Sequence, residues 1–383
     1  MSEWRETKLR NVVSILGDGL HGTPIYTDKG DYYFINGNNL SNGKIVFKKD
    51  TKRVSGEEYH KYKKPLNNRT ILISINGTLG NIALYNNERC ILGKSACYFN
   101  VIDSIDKQYI RYVVSTDDFQ GYISQFANGT TIKNVSLQVV RDYSFLLPPL
   151  ATQRAISEVL SSLDDKIDLL MRQNATLEAL AQTYFRQWFV EGANEDWEEK
   201  GLDEIADFLN GLPLQKYPYK YGEPVYAIKI KELNSGYSDN SDICSADVPE
   251  KYIVNPGDVV FSWSGSLVVD IWKYGKGALN QHLFKVTSDK YPKWFYYYWI
   301  KYHLPEFRII AESKATTMGH IQRGHLTAAK VLVPSDCELT VMDKTMQPLI
   351  EKIEQNNAQI LTLQKLRDTL LPKLISGEVR VKQ

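Results

Sequence analysis

Glycines at 17, 19 and 22 give the run Gly17-Asp18-Gly19-Leu20-His21-Gly22, the G-x-G-x-x-G spacing that lets a backbone approach a dinucleotide pyrophosphate. That chemistry needs a helix N-terminus behind the last glycine, and Thr23-Pro24 stands there instead, so no nucleotide site is expected. Nor does any G-x-x-x-x-G-K-[ST] run occur that could cradle the phosphates of ATP. Methyl transfer to a base amino group needs a polar residue, two prolines and an aromatic to grip the extruded base. Here the one Pro-Pro pair, Pro148-Pro149, lies between Leu147 and Leu150 and has neither neighbour. The four cysteines, Cys90, Cys97, Cys244 and Cys337, form no C-x-x-C pair and have no partnered histidine spacing. They read as reduced and structural. Catalytic residues, a metal site and a cofactor are therefore all expected to be absent from this chain.

What remains is charge and hydrogen bonding. The chain has 383 residues, 43% hydrophobic and 24% charged, ordinary for globular domains. With no run of about 18 apolar residues, and with a charged opening MSEWRETKLR, neither a membrane span nor a signal peptide is expected, which points to the cytoplasm. The net charge of +1 hides an uneven distribution. Residues 1–147 carry 19 basic and 14 acidic side chains, against 16 and 17 for residues 197–337. The first third is thus the more basic partner for a polyanion, with Lys44, Lys48, Lys49, Lys52, Arg53, Lys61, Lys63 and Lys64 close together. A solvated loop would give the same run, and Asp50, Glu57 and Glu58 sit inside it.

These residues must be positioned by a chain that repeats itself. TILISINGTLGNIAL from Thr70 matches DVVFSWSGSLVVDIW from Asp258 at an offset of 188, each a β-rich strand entering a glycine turn. GTTIKNV around Thr130 matches ATTMGHI around Thr316 at an offset of 186, which then holds to the end of the chain. Each repeat closes with a proline-announced helix, expected over about 150–190 and 338–375. In the first, Leu163, Leu170 and Leu177 recur every seven residues, interleaved with Leu160, Ile167 and Asn174. The second repeats the stripe with Asn356 and Leu363 in one row and Ile353, Ile360 and Arg367 in the other. Asn174 and Asn356 either fix the register of the pair or lie wet at its edge.

The fold class that follows is α+β: two repeated domains separated by two long helices that form an antiparallel coiled coil, pseudo-two-fold symmetric. The segments are 1–147, 148–196, 197–337 and 338–383. A helix over 152–189 would extend about 57 Å at ~1.5 Å per residue, more than a linker needs. Two similar surfaces on such a spacer suit a duplex read at two half-sites ~34–36 Å apart. The aromatic block 291–302 could stack bases, but adjacent aromatics point all round a helix and suit a buried one better.

Three phrases carry a resemblance: DGLHGTP at 18–24 with YYFINGNNLSNGKI at 32–45, LPPLATQRAISEVLSSLDDKI at 147–167, and LRDTLLPKLISGEVRV at 366–381. With Asn280-Gln281-His282 ahead of an apolar LFKV, they resemble the specificity (S) subunits of type I restriction–modification enzymes over the whole chain. The second domain departs from the pattern: it opens with LNGLPLQKYPYKYG in place of a second DGLHGTP and is nearly neutral. The resemblance implies a non-catalytic subunit whose two target-recognition domains each read one half of a bipartite, asymmetric double-stranded DNA sequence. It also implies partners: two methyltransferase (modification) subunits on the helices, and restriction subunits with translocase and nuclease activity. S-adenosylmethionine, ATP and Mg are then expected on those partners and not on this chain.

Within that reading the candidate DNA contacts are polar side chains at glycine turns. The first domain offers Asn36, Asn38 and Asn39 around Gly37, Asn76 and Thr78 around Gly77, Lys94, and Thr130, Thr131, Lys133 and Asn134 after Gly129. The second offers Lys229 and Lys231, Ser264 and Ser266 around Gly265, the run Asn280, Gln281 and His282, and Thr316, Thr317, His320 and Arg323 around Gly319. Lysine and arginine would neutralise phosphates, and the amides and hydroxyls would meet base edges. The same residue types also build turns without touching any ligand. The alternative of a non-catalytic coiled-coil scaffold that binds only protein would show no salt-dependent affinity for DNA.

Overall fold

The computed structural model describes residues 4–129, 133–313 and 319–381. Two compact units divide the chain: residues 1–166 with 364–383, and residues 167–363.

In the first unit the apolar run Thr70–Ser74 is buried along its whole length. It lies inside an antiparallel sheet of order Val13–Asp18, Ala96–Val101, Thr70–Ser74, Ile82–Leu84. Both faces of this sheet are covered, which is why its strands read as continuous apolar runs. Alternation then sends Ile71, Ile73, Cys97 and Phe99 to one core, with Tyr109, Ile110 and Phe119 of the helices Lys107–Ser115 and Asp117–Gln125. Leu72, Ala96 and Tyr98 face the other way, against Ile35 and Leu92 of a small second sheet. In that sheet Tyr32–Ile35 pairs parallel with Cys90–Leu92 and antiparallel with Arg53–Val54.

The second unit builds the same plan from a different sequence. Its main sheet runs Asp207–Asn210, Leu283–Thr287, Val259–Ser262, Val269–Ile271, and Val225–Ile228 pairs parallel with Gly277–Leu279. A closing ribbon joins Arg5–Lys8 to Ser144–Leu147 in the first unit and Glu198–Gly201 to Lys330–Val333 in the second. The helix Lys293–Ser313 buries residues 294–299 without exception. Trp294 Nε1 donates to Asp343 Oδ1 at 2.7 Å and the Tyr298 hydroxyl to Glu178 Oε2 at 3.1 Å, so residues 294–299 of the aromatic block are core and offer no stacking platform, while Tyr302 at its end is exposed.

The long helices are Leu150–Arg186, of 37 residues, and Asp336–Ser376, of 41. In the first unit Ile156 and Leu160 share a core with Leu374 and Ile375, and Asp164 meets Arg367. In the second, Ile167 and Leu170 pack with Ile360 and Leu363, and Asn174 meets Asn356. Within each unit later residues of one helix meet earlier residues of the other, so the pairing is antiparallel. Ile353 is buried, while Leu163 and Leu177 are half-buried at the edge of the stripe. Asn356, 1% exposed, donates to Asn174 Oδ1 at 2.8 Å and Gln173 Oε1 at 3.0 Å, while Asn174 donates to Asn357 Oδ1 at 2.8 Å. The α+β architecture, repeated twice and carried on antiparallel long helices, is the one read from the sequence.

Candidate nucleic-acid interface

At the end of the buried strand Thr70–Ser74 the chain turns through Gly77, whose φ of +75° suits glycine alone without strain. The Gly77 N–H donates to the Lys133 carbonyl at 2.9 Å, Ile75 N–H to the Ser95 carbonyl at 2.9 Å, and Val135 N–H to the Ile75 carbonyl at 2.8 Å. Three separate segments are thereby tied through main-chain groups: the turn at 75–80, the loop at 93–95 and the stretch at 133–135. Asn76 Nδ2 donates to Asn134 Oδ1 at 3.1 Å, and Thr78, Lys94, Lys133 and Asn134 are exposed. Behind the loop, Ser95 Oγ donates to Asn36 Oδ1 at 3.0 Å. Asn38 is exposed. Asn39 is 4% exposed and spends its amide on the Val46 carbonyl at 3.0 Å and Thr51 Oγ1 at 3.2 Å.

The second unit ties the corresponding segments by the same bonds. Gly265, φ +66°, donates to the Gly319 carbonyl at 2.8 Å, Trp263 to the His282 carbonyl at 3.3 Å and Ile321 to the Trp263 carbonyl at 2.9 Å. The side chains differ. Ser264 Oγ and His282 Nδ1 share a hydrogen bond of 2.9 Å, and Gln281 Nε2 lies 3.3 Å from His282 Nε2. Gln281, His282 and His320 are half-buried, with the His320 ring edge-on to Trp263 at 6.3 Å. Ser266 and Arg323 are exposed, and Arg323 Nη2 donates to the Phe208 carbonyl at 3.0 Å. Asn280 is buried, its Oδ1 accepting the His282 N–H at 3.3 Å. Lys229 and Lys231 flank Ile230, whose Cδ1 lies 3.4 Å from where a Cβ on Gly265 would stand. Lys229 pairs with Asp242, and that hydrogen bond holds the Asp242 carboxyl below its usual range. Lys231 Nζ donates to Ser238 Oγ at 3.1 Å.

The fold thus gathers Asn76, Lys94, Lys133 and Asn134 in one unit and Ser264, Gln281, His282 and His320 in the other. Asn39 braces its loop from beneath with both ends of its amide engaged, whereas Asn280, though buried, is engaged through Oδ1. Thr130, Thr131, Thr316 and Thr317 lie outside the described residues. Sequence reading missed Trp263, whose Nε1 donates to Asn210 Oδ1 at 2.9 Å. It also missed that the two domain openings correspond: Leu20 bridges Gly93 in parallel as Leu212 bridges Asn280. A Cβ on Gly19 would stand 2.2 Å from the Leu92 carbonyl oxygen, and one on Gly211 2.2 Å from that of Asn280. Of the glycines in the G-x-G-x-x-G run it is Gly19 that serves this close approach, and the chain runs from the strand into loop, not helix. Burial pushes the Cys90 thiol up to about 12 and raises Cys97 and Cys244, whereas Cys337 is exposed, against its reading as structural. Among the described residues no His, Cys, Asp and Glu group could hold a metal ion, and no helix is long and apolar enough to cross a membrane.

Two copies of one mixed domain, each closing on a long helix and each presenting the same three-segment loop cluster, define a tandem-repeat protein carried on paired antiparallel helices. The profile of the type I restriction modification DNA specificity domain matches residues 1–179 and again 194–365. The chain therefore belongs to the type I restriction–modification specificity family and is a specificity subunit. It is 25% identical to the type I restriction enzyme MjaIX specificity subunit of Methanocaldococcus jannaschii, over 100% of this chain and 94% of that protein. To the EcoKI specificity subunit of Escherichia coli it is 24% identical, over 78% of this chain and 74% of that one. The crystal structure of a type I S subunit from M. genitalium shares the fold, with a TM-score of 0.59 at 18% identity, covering 98% of this chain and 96% of that one.

Proposed function

We propose that each repeat reads one half of a bipartite, asymmetric double-stranded DNA target through its three-segment loop cluster, and that the chain contributes no catalytic group of its own. The observation carrying this reading is that one backbone arrangement recurs with different side chains. Asn76, Lys94 and Asn134 occupy the positions of Ser264, Gln281 and His320. Equivalent scaffolds with unequal donors and acceptors suit two unequal half-sequences. Exposed Lys94 and Lys133 would supply phosphate or guanine contacts, and the amides and hydroxyls base edges. The long helices would dock two methyltransferase subunits, with restriction subunits joining that core; S-adenosylmethionine, ATP and Mg would reside on those partners.

The test is reconstitution. Chain, methyltransferase subunits and labelled S-adenosylmethionine are incubated with genomic DNA, and the methylated adenines are mapped. The expected result is a single two-part motif with an unread gap, and no methyl transfer by the chain alone. Transfer by the pure chain, or methylation without a motif, would overturn the proposal.

A further inference from the structure

The second repeat holds a cavity of about 180 Å³ beside its loop cluster, lined by Asn210, Trp263, Phe284, Ile321 and Arg323. Three of its five lining residues are apolar: the Trp263 and Phe284 ring centroids lie 6.1 Å apart, and Ile321 is 4% exposed. The indole is held in place, because Nε1 donates both to Asn210 Oδ1 at 2.9 Å and to the Gln281 carbonyl at 3.2 Å. At the rim stands the exposed Arg323, its Cζ 5.8 Å from the Phe284 ring centroid. Around the same indole come the His282 ring at 5.8 Å and the His320 ring at 6.3 Å. The cavity therefore opens among the polar side chains of the cluster, beside a cation that suits a polyanion.

The first repeat lacks these walls. Strand register puts Asp18 opposite Cys97 where the second repeat has Asn210 opposite Phe284. The shared loop bonds put Ile75 at the place of Trp263 and Val135 at that of Ile321, and Leu137 opens the short helix that Arg323 opens in the second repeat. None of the five is aromatic, and the guanidinium there comes instead from Arg141, whose Nη2 donates to the Leu16 carbonyl at 2.8 Å as that of Arg323 donates to the Phe208 carbonyl at 3.0 Å. The cavity is thus a feature that could make the two repeats read different sequences.

We propose that this cavity receives the 5-methyl group of a thymine in the half-site bound by the second repeat, making Trp263, Ile321 and Arg323 specificity-determining residues. In the major groove a thymine differs from a cytosine by its C5-methyl and by an O4 acceptor where cytosine has an amino donor. The apolar part of the cavity rewards the methyl, and the Arg323 guanidinium at its mouth can meet O4 or the neighbouring phosphate. The inference rests on the DNA-reading assignment above.

The experiment uses the assembled methyltransferase and its mapped target. Each thymine is replaced in turn by deoxyuridine, which keeps the pairing edge and O4 and lacks only the methyl. Binding is expected to fall about fourfold at one thymine, the worth of one buried methyl group. Ile321→Ala and the milder Ile321→Val should shrink that thymine-to-uracil ratio toward one, whereas Arg323→Ala should weaken thymine and uracil alike, because both bases keep O4; all three should leave the other half-site unaffected. Equal binding of thymine and uracil at every position, or a target with no thymine in the affected half, overturns the methyl proposal and leaves the DNA-reading assignment standing. A complex that selects no target at all overturns both.

Discussion

Lys94 and Lys133 differ from the other cluster residues in being exposed cations whose side chains make no ion pair or hydrogen bond among the described residues. A lysine that meets a phosphate releases a counterion on binding, so its removal changes the salt dependence and leaves the sequence preference alone. Lys133→Ala is expected to lower the slope of log K against log salt by about 0.9 if it meets a phosphate, or to relax the motif at one position if it meets a base. Isotherms at several salt concentrations on target and scrambled duplexes separate the two. Unchanged slope and unchanged preference would remove Lys133 from the interface. At this scale the sequence was partly legible. The glycine turns announced which loops carry polar side chains, but the amides of Asn39 and Asn76 look alike in sequence. Only the strand and loop partners decide that Asn39 is spent on Val46 and Thr51.

Between the elements of the first unit the firmest polar joint is Asp164. Its carboxylate takes Arg111 Nη2 at 2.9 Å, Arg367 Nη1 at 3.0 Å and the Tyr112 hydroxyl at 2.8 Å, linking both long helices to the helix Lys107–Ser115. Burial alone would raise its pKa, yet Arg111 beside it, with the bonds from Arg367 and Tyr112, outweighs burial and holds the carboxyl below its usual range. A depressed pKa contributes stability that is present above the ordinary aspartate value and is lost as pH falls through the lowered one. Asp164→Ala should cost about 3 kcal/mol, because the partly buried Arg111 guanidinium loses its counter-charge and Arg367 is left with Asp368 alone. Denaturant unfolding of the variant checks the loss. Repeating it between pH 5 and pH 2 should show a shallower decline for the variant than for the wild type. The helix stripe was plain in the sequence, and so was the intrusion of Arg367 into it. Its partner was not, since 203 positions separate the two residues and no local pattern spans them.

For the whole molecule the uneven charge predicts a division of labour. The basic run of the first unit includes Lys48, Lys49 and Lys52, all exposed, whereas residues 197–337 are nearly neutral. Changing these three lysines to glutamine is expected to lower the salt slope by about 2.7 if all three meet phosphates, and to weaken non-specific more than specific binding. A slope equal to the wild type would mean that the run faces solvent. The repeat itself was legible from the strand Thr70–Ser74 onward, where its offset moves only from 188 to 186. It was hidden before that point because Gly19 and Gly211 stand 192 positions apart, out of step with the 188 that aligns the following strands. Segments of unequal length between them erase the pattern while the close approach of each glycine to its neighbouring carbonyl preserves the geometry.

The main-chain bonds at Gly77 and Gly265 have a consequence for how such a protein changes over generations. Because the loops are held by N–H and carbonyl groups that every residue but proline supplies, the exposed positions between them are free to vary at little cost to stability. Asn76 and Lys94 in one repeat stand where Ser264 and Gln281 stand in the other, on the same main-chain frame. A lineage can thus acquire a new address by point substitution or by exchanging one half with a relative, without passing through an unfolded ancestor. Evolvability here is a property of the hydrogen-bonding pattern, and it can be measured directly: libraries randomised at Thr78, Lys94 and Asn134 should retain the fold in a large majority of members while scattering in the DNA they mark.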